Sequence, residues 1–388
     1  MKRVSIISIN AGGGHIAAMN SLAQILSSSK KFDVSTYIIK DSHLDNLHKN
    51  LVFYFPFFYE FLYNLSKLPL PNLINNLRIL VAAKVNKLDN QILPFLYNSD
   101  IIISTHFIIT EQLLRLRHNN NLKVKIVNYI PDFDEANIHK VHYKSKYCDG
   151  YIAQSPNLVQ SFLNKNIPAI EGRFIPSSNF NRTDRSNTEL LSILNNGLEN
   201  KIKLNFDKPI ICVTGGAMWA KRLMPRLKYL WKNDKANKYI PQYIIVTGKN
   251  RSFFDQLLKS KDKYTGANIQ AVPFLNSKQL ASLYKLSSII LMASIAPASL
   301  YEIGATNNAV IVLGRKNPGQ EYFNARYAKE NNLIISANGK TLLSNSVLSL
   351  FNNSIRIKKL AEQQKAFEIE KRIQSKFEDV LVNFVNQL

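Results

Sequence analysis

Five of the chain's 14 glycines fall in two places, Gly12–Gly14 and Gly215–Gly216, each directly after a short apolar run that reads as a strand. A glycine turn at a strand end lets backbone amides come close to a ligand, and the start of the following helix favours negative charge. Phosphate or another oxygen-rich ligand is the chemistry implied, although a tight turn with no ligand would explain either loop taken alone. No GKS or GKT follows, and GGGH does not fit G-x-G-x-x-G, so a P-loop and a nicotinamide-binding fingerprint are both disfavoured. His15 follows the first glycine turn and His106 lies just past the strand 101–104. Ligands of open α/β sheets gather at the carboxyl ends of strands, so both histidines should border a binding site.

The elements that must position these residues alternate along the chain. Strands are expected at 4–9, 101–104, 124–130 and 150–153, with a helix at 16–26 and further helical stretches between them. A second series follows: strands at 210–214, 243–247, 269–272, 289–292 and 309–312, with helices ending near Leu230 and at 253–259 and 278–286. Such alternation implies parallel sheets covered on both faces. The polar stretch SSNFNRTDRSNTE after Pro176 is the linker expected between two Rossmann-like domains, at 1–180 and 200–360. A charged amphipathic helix over about 355–388 would pack back along the domains, with 361–388 as its closing part.

A chain of 388 residues exceeds what one core supports, which agrees with two domains. No stretch approaches the ~20 apolar residues that a membrane span needs. The first apolar run is too short for a signal peptide and fits a buried strand. Cys148 and Cys212 lie far apart without C-x-x-C spacing, so neither a disulfide framework nor a zinc site is expected, and a reducing cytoplasm suits the chain. With 50 Lys+Arg against 27 Asp+Glu the net charge is +23, which predicts attraction to a polyanion: nucleic acid or anionic lipid. Twelve basic residues against three aspartates in 221–263 make a docking face or simply a solvated surface.

Several blocks together resemble a known family. The run Asn10–Ala18 (NAGGGHIAA), the block Asp100–Glu111 (DIIISTHFIITE), the block Tyr129–His142, the segment Val213–Ala217, the segment around Glu302 and Asn317–Ala325 (NPGQEYFNA) occur in that order. They are similar to glycosyltransferase family 28, which includes monogalactosyldiacylglycerol synthases and bacterial processive diacylglycerol glucosyltransferases. The resemblance implies an α/β GT-B fold: two Rossmann-like domains with parallel sheets facing a cleft, the UDP-sugar mainly on the second and the acceptor mainly on the first. It further implies an inverting hexosyltransferase with no cofactor beyond its donor substrate, and metal independence is expected because no Asp-x-Asp carboxylate pair is read at a strand end, helix dipoles taking the place of a cation at the leaving group. Asp132 matches the proposed general base, needed because an acceptor hydroxyl is a poor nucleophile until a carboxylate takes its proton. His15 and His106 complete the catalytic set.

On the donor side the resemblance adds Gly215, Gly216 and Ala217 as the loop under the diphosphate, and Gly13, Gly14 and Lys249 are further candidates for donor binding. Phe274 and Leu275 stand where backbone atoms meet uracil, and Gln320 and Glu321 where the transferred sugar is held. Glu302 matches the residue that binds the ribose hydroxyls, a task suited to a carboxylate. Relatives carry K-P-G-G ahead of that glutamate, whereas this chain reads Ser294-Ile295-Ala296-Pro297. Pro297 would open a helix there, with Ala298 and Ser299 in its first turn. Asn137 and Lys140 stand where relatives have His and Trp.

Leu51–Leu65 packs eight aromatics and one charge into 15 residues. It is either core or an entry region for a lipid acceptor, since Phe and Tyr suit the headgroup boundary. With the positive charge it makes a peripheral enzyme at the inner face of the cell membrane the expected setting, with diacylglycerol as acceptor and no nucleic acid partner. A polyprenyl-linked sugar or a lipopolysaccharide precursor is the alternative acceptor, with N-acetylglucosamine as the sugar. A homologue that binds nucleotide-sugar or lipid without catalysis is a different class altogether.

Overall fold

A computed structural model describes residues 1–9, 13–39, 61, 89–135, 139–143, 146–181, 184–215, 220–234, 241–260, 268–306, 309–315 and 319–388. The chain divides into two compact units. One comprises Met1–Phe174, Pro318–Phe323 and Lys371–Leu388; the other comprises Ile175–Asn317 and Asn324–Glu370.

The first unit is built on β1 (Lys2–Ile9), β2 (Phe32–Ile39), β3 (Ile101–Ser104), β4 (Lys125–Ile130), β7 (Gly150–Ala153) and β8 (Ala169–Glu171), all parallel, in the order β2-β1-β3-β4-β7-β8. A small antiparallel pair, β5 (His142–Tyr143) and β6 (Lys146–Tyr147), stands apart from it. Every residue of β3 and β7 is buried, as a parallel sheet covered on both faces requires. Helices α1 (Gly13–Ser28), α2 (Asp89–Asn98), α3 (Phe107–Asn119) and α4 (Pro156–Leu163) connect the strands. Leu22, Leu26, Ile109, Leu113, Leu158 and Phe162 bury their side chains. Ser155 caps α4 by accepting from the Leu158 amide, and Pro156 sets its first turn.

The second unit repeats the plan with β9 (Ile210–Thr214), β10 (Gln242–Val246), β11 (Asn268–Val272), β12 (Ile289–Met292), β13 (Val310–Leu313) and β14 (Ile335–Ser336), parallel, in the order β11-β10-β9-β12-β13-β14. Its helices are α5 (Asn187–Asn195), α6 (Met224–Asp234), α7 (Arg251–Ser260), α8 (Ser277–Leu286), α9 (Pro297–Thr306), α10 (Gln320–Glu330, whose first turn falls in the first unit), α11 (Lys340–Phe351) and the first part of α12 (Ser354–Ser375). In each sheet the strand order reverses once, between β1 and β3 and between β9 and β12. Ligands of doubly wound sheets bind at the carboxyl ends of the strands beside such a reversal.

Three features differ from the sequence expectations. The polar stretch after Pro176 is not featureless: Ser186 accepts from the Glu189 amide while the Glu189 carboxylate accepts from the Ser186 amide, a capping box that starts α5. Residues 175–180 cluster with the second unit, where Phe180 lies 6.0 Å from the Tyr284 ring and the Lys285 ammonium donates to the Asn179 carbonyl at 2.7 Å. The closing helix is two helices, because Lys376 takes a left-handed conformation (φ 36°) between α12 and α13 (Phe377–Gln387). Strands β2, β8 and β14 were not expected from the sequence. All three are edge strands or very short, and β2 alternates without a clean apolar face. Residues 51–65 lie outside the described residues apart from Phe61, which is exposed.

Candidate active site

In the first unit the carboxyl ends of β1, β3 and β4 each deliver one expected residue. His15 sits in the first turn of α1, His106 caps α3, and Asp132 lies two residues past β4. The His15 Nδ1 lies 2.6 Å from the Thr105 carbonyl oxygen. A carbonyl only accepts, so Nδ1 carries the proton and Nε2 of the neutral ring is the acceptor. His106 has the opposite tautomer when neutral, because its Nδ1 accepts from the Ile108 amide at 3.3 Å and leaves the proton on Nε2. The two rings stand 4.9 Å apart, so one acceptor and one donor imidazole share the edge of the sheet.

Burial pushes the His15 pKa down, only partly opposed by the negative charge of Asp132 and the Thr105 carbonyl, while His139 adds to the fall. His15 is therefore neutral at pH 7. Asp132 is buried at 8% exposure, close enough to His15 to act on its charge. The residue on which Asp132's loop rests was not foreseen in the sequence. Asp134, wholly buried, lies with its Oδ2 2.7 Å from the Nε2 of buried His139. The His139 carbonyl in turn accepts from the Asn128 amide group on β4 at 3.2 Å, and the Asn128 Oδ1 accepts from Thr110 at 2.8 Å. His139 meets Phe107 edge-on at 6.1 Å, and Phe107 stacks on His106 at 4.7 Å. The post-β4 loop is thereby tied to α3 and to the strand it leaves.

Asp132-Phe133-Asp134 is an Asp-x-Asp spacing just past the end of β4, which overturns the expectation that no such carboxylate pair stands at a strand end. Its second carboxylate is engaged by His139. Among the described residues no three His, Cys, Asp or Glu side chains converge where an ion could be held. Both cysteines are buried, and burial pushes the Cys148 thiol up to about 12, so neither serves as a nucleophile.

The second unit places Gly215 directly after β9, Lys249 in the turn after β10, Phe274 and Leu275 after β11, and Pro297 at the start of α9 after β12. All of these stand at the carboxyl edge. A Cβ on Gly215 would lie 2.5 Å from the Ala220 amide nitrogen and 2.7 Å from the Ala293 methyl, so the close approach of backbone segments demands glycine here. Gly14, by contrast, has open space where a Cβ would be. Gly13 begins α1. Pro297 does open its helix, and among the described residues the Ala298 amide has no partner, while the Ser299 amide turns back to the Ala296 carbonyl at 3.0 Å.

Glu302 follows in the second turn of α9, half-buried, and burial pushes its carboxyl up to about 8. Among the described residues none hydrogen-bonds or ion-pairs with that carboxyl, which is an unusual state for a buried acid and leaves it able to meet hydroxyl groups. Phe274 is 62% exposed and lies under the Lys249 ammonium at 5.8 Å, whereas Leu275 is buried. Gln320 and Glu321 open α10, and both fall in the part of the chain that clusters with the first unit. Gly216, Ala217 and Asn137 lie outside the described residues.

These two parallel sheets form a GT-B fold, shared over nearly whole chains with solved proteins of low sequence identity. Acinetobacter baumannii MurG matches at 14% identity with a TM-score of 0.58 and full coverage of both chains. A Rickettsia africae glycosyltransferase matches at 15% identity, TM-score 0.58 and 99% of each chain. The UDP-GlcNAc 2-epimerase of Neisseria meningitidis, bound to UDP-GlcNAc, matches at 12% identity, TM-score 0.59 and full coverage. Residues 15–171 match the sequence family described as monogalactosyldiacylglycerol (MGDG) synthase, a stretch that holds His15, His106 and Asp132. The structural matches show the GT-B fold, and the family match falls on the part of the first unit that carries the three expected residues. No curated protein matches the chain in sequence.

Proposed function

We propose that the chain transfers a hexose from a UDP-sugar to diacylglycerol, by an inverting and metal-independent displacement at an anionic membrane surface. The observation that carries the reading is the placement of Asp132, His15 and His106 together at one sheet edge, inside the segment that matches the MGDG synthase family. Asp132 takes the proton of the lipid hydroxyl, the hydroxyl oxygen attacks the anomeric carbon, and the bond to the diphosphate breaks with its electron pair on UDP. Neutral His15 offers Nε2 as an acceptor beside that carboxylate, and His106 offers a donor.

In the second unit the start of α9, the Ala298 amide and the Gly215 turn suit the diphosphate charge, since a helix N-terminus stabilises an anion. Glu302 accepts the ribose hydroxyls, Phe274 with Leu275 meets the uracil, and Gln320 with Glu321 holds the sugar. Three observations support the lipid acceptor: the family match, the aromatic content of residues 51–65 and the net charge of +23. The test is release of UDP from UDP-glucose and UDP-galactose with diacylglycerol liposomes, with product mass determined. Turnover abolished in Asp132→Asn supports the proposal. UDP-sugar binding without turnover in the wild type would overturn it in favour of a binding protein.

A further inference from the structure

Beside the sheet edge that carries Asp132, His15 and His106, a line of side chains runs from a buried carboxylate to one of those imidazoles. Asp134 is wholly buried, and its Oδ2 lies 2.7 Å from the Nε2 of His139, itself buried. The His139 ring meets Phe107 edge-on, at 6.1 Å and 89°, and Phe107 lies nearly parallel to His106, at 4.7 Å and 21°. His15 stands 4.9 Å from His106, tilted by 59°. A return path runs through β4 and α3. Asn128 donates to the His139 carbonyl at 3.2 Å, and the Thr110 hydroxyl lies 2.8 Å from the Asn128 Oδ1 and 3.0 Å from the His106 carbonyl. His106, Phe107, His139, Asn128 and Thr110 thus form a closed circuit.

Each contact in it constrains something different. The Ile108 amide donates to the His106 Nδ1 at 3.3 Å, a long bond that sets which nitrogen faces the helix but holds the tilt of the ring loosely. Tilt decides where the Nε2–H points, and the stacked face of Phe107 sets it. Phe107 is half-buried against the core of the unit, and the edge-on His139 ring fixes its plane. Holding a loop in place does not call for ionisable groups, since apolar residues of similar volume do so as well as a buried pair. A hydrogen bond of 2.7 Å does what apolar packing does not, because it fixes the direction of the His139 ring. The same loop has a second clamp of another kind. Glu135 accepts from the Ser155 hydroxyl at 2.8 Å and from the Asn157 amide group at 2.9 Å, which ties the loop to the start of α4.

We infer that the Asp134–His139 pair is a positioning device for the His106 imidazole: Asp134 sets the plane of His139, His139 sets Phe107, and Phe107 sets the direction in which His106 offers its Nε2–H. The inference rests on the proposed function, in which His106 is the donor near the base Asp132, and it adds Asp134, His139 and Phe107 as residues that act through His106. Direction matters because a hydrogen bond weakens steeply as it departs from linearity. Asp132 and Asp134 lie two residues apart on one loop, so the place of the base and the aim of the donor are set together.

The test uses the full chain and three variants that cut the circuit or the clamp at different links. His139→Gln keeps an N–H for Asp134 but removes the ring from Phe107. Phe107→Leu keeps apolar volume but removes the face from His106, and Glu135→Ala opens the clamp on α4. In the wild type the ring current of Phe107 moves the carbon-bound protons of the His106 imidazole upfield. Those resonances should shift downfield in His139→Gln and in Phe107→Leu, and stay in place in Glu135→Ala. In the first two, kcat for UDP release should fall by about 10–100-fold with the UDP-sugar KM unchanged. Because both cut one chain of contacts, the double variant should be no slower than the slower single one. Unmoved His106 resonances in His139→Gln would overturn the inference, as would losses in kcat that multiply in the double variant. An equal shift in Glu135→Ala would overturn it too, since a loosened loop would then account for the effect. If the resonances move as expected while the wild type releases no UDP, the positioning circuit stands and the catalytic proposal fails.

Discussion

The carboxyl edges of the two sheets share one topology and differ in how their polar groups are held. On the first, polar side chains hold one another: His15 on the Thr105 carbonyl, Asp134 on His139, Asn128 between Thr110 and the His139 carbonyl. On the second, Gly215 is closed in by neighbouring backbone, Phe274 is open, and among the described residues nothing pairs with the Glu302 carboxyl. A proton-transferring edge needs groups fixed in geometry and protonation before substrate arrives. A nucleotide-binding edge, the role proposed for the second, needs hydrogen-bonding capacity left open for the ligand, and a half-buried carboxyl would store that capacity.

The comparison breaks most visibly at Asp132. Asp132→Asn keeps the shape and removes the proposed base, so kcat should fall by about 10²–10⁴-fold with the UDP-sugar KM unchanged. Equal loss in kcat and donor affinity would mean that the first edge is not separable from donor binding. The same variant carries a spectroscopic signature. Asp132 is one of the influences that hold the His15 pKa up against burial. A neutral amide in its place removes that influence, so the His15 imidazole, followed by NMR, should titrate at still lower pH than in the wild type.

Next in size is the pair beneath it. Asp134→Asn replaces the charged acceptor of the buried His139 hydrogen bond with a neutral one, a change that costs about 1.5–3 kcal/mol. The melting temperature should fall by several degrees and kcat with it, while UDP binding to the second unit, measured by calorimetry, stays as it was. A loss of UDP affinity would show that the pair supports more than the first edge.

Much of this was legible in the sequence, and the omissions have physical causes. Strands β3, β7, β9 and β12 are fully buried runs of apolar residues, so composition marks their ends to the residue. Edge strands such as β8 and β14 face fewer neighbours and leave too short a pattern. Glycine loops announced both sheet edges, and Pro297 announced the start of α9. The Asp134–His139 pair left no signal except the Asp-x-Asp spacing, because a five-residue separation in a loop says nothing of approach. The half-buried carboxyl of Glu302 likewise depends on packing around α9, which periodicity does not report.

On the donor edge the expected effects are smaller and run through stability and binding. The Glu302 carboxyl is raised to about 8 in the folded chain from an ordinary value near 4.5. The folded state therefore holds a proton that the unfolded state releases between those values, and stability, full below about 4.5, declines as pH rises toward 8. Discounted for partial exposure, the loss is on the order of 2–3 kcal/mol. The unliganded wild type should melt at progressively lower temperature from pH 5 to pH 8, and Glu302→Gln should flatten that slope. A slope that survives the substitution would place the titrating group elsewhere.

The least effect is expected at Lys249 and Phe274, and it decides what the open side of the second edge is for. An exposed cation–π contact at 5.8 Å contributes about 0.5–1 kcal/mol, so Lys249→Ala should lower the melting temperature barely, if at all. If Phe274 lies against the base and Lys249 near the diphosphate, however, the ring and the ammonium gain contacts when UDP binds that they lack without it. Lys249→Ala should then weaken UDP by about three- to tenfold while leaving uridine nearly unaffected, since uridine has no phosphate for the ammonium to meet. Phe274→Ala should weaken both equally. Equal effects of Lys249→Ala on UDP and uridine would mean that the lysine only supports the ring, and the phosphate would then rest on the start of α9 and the Gly215 turn alone.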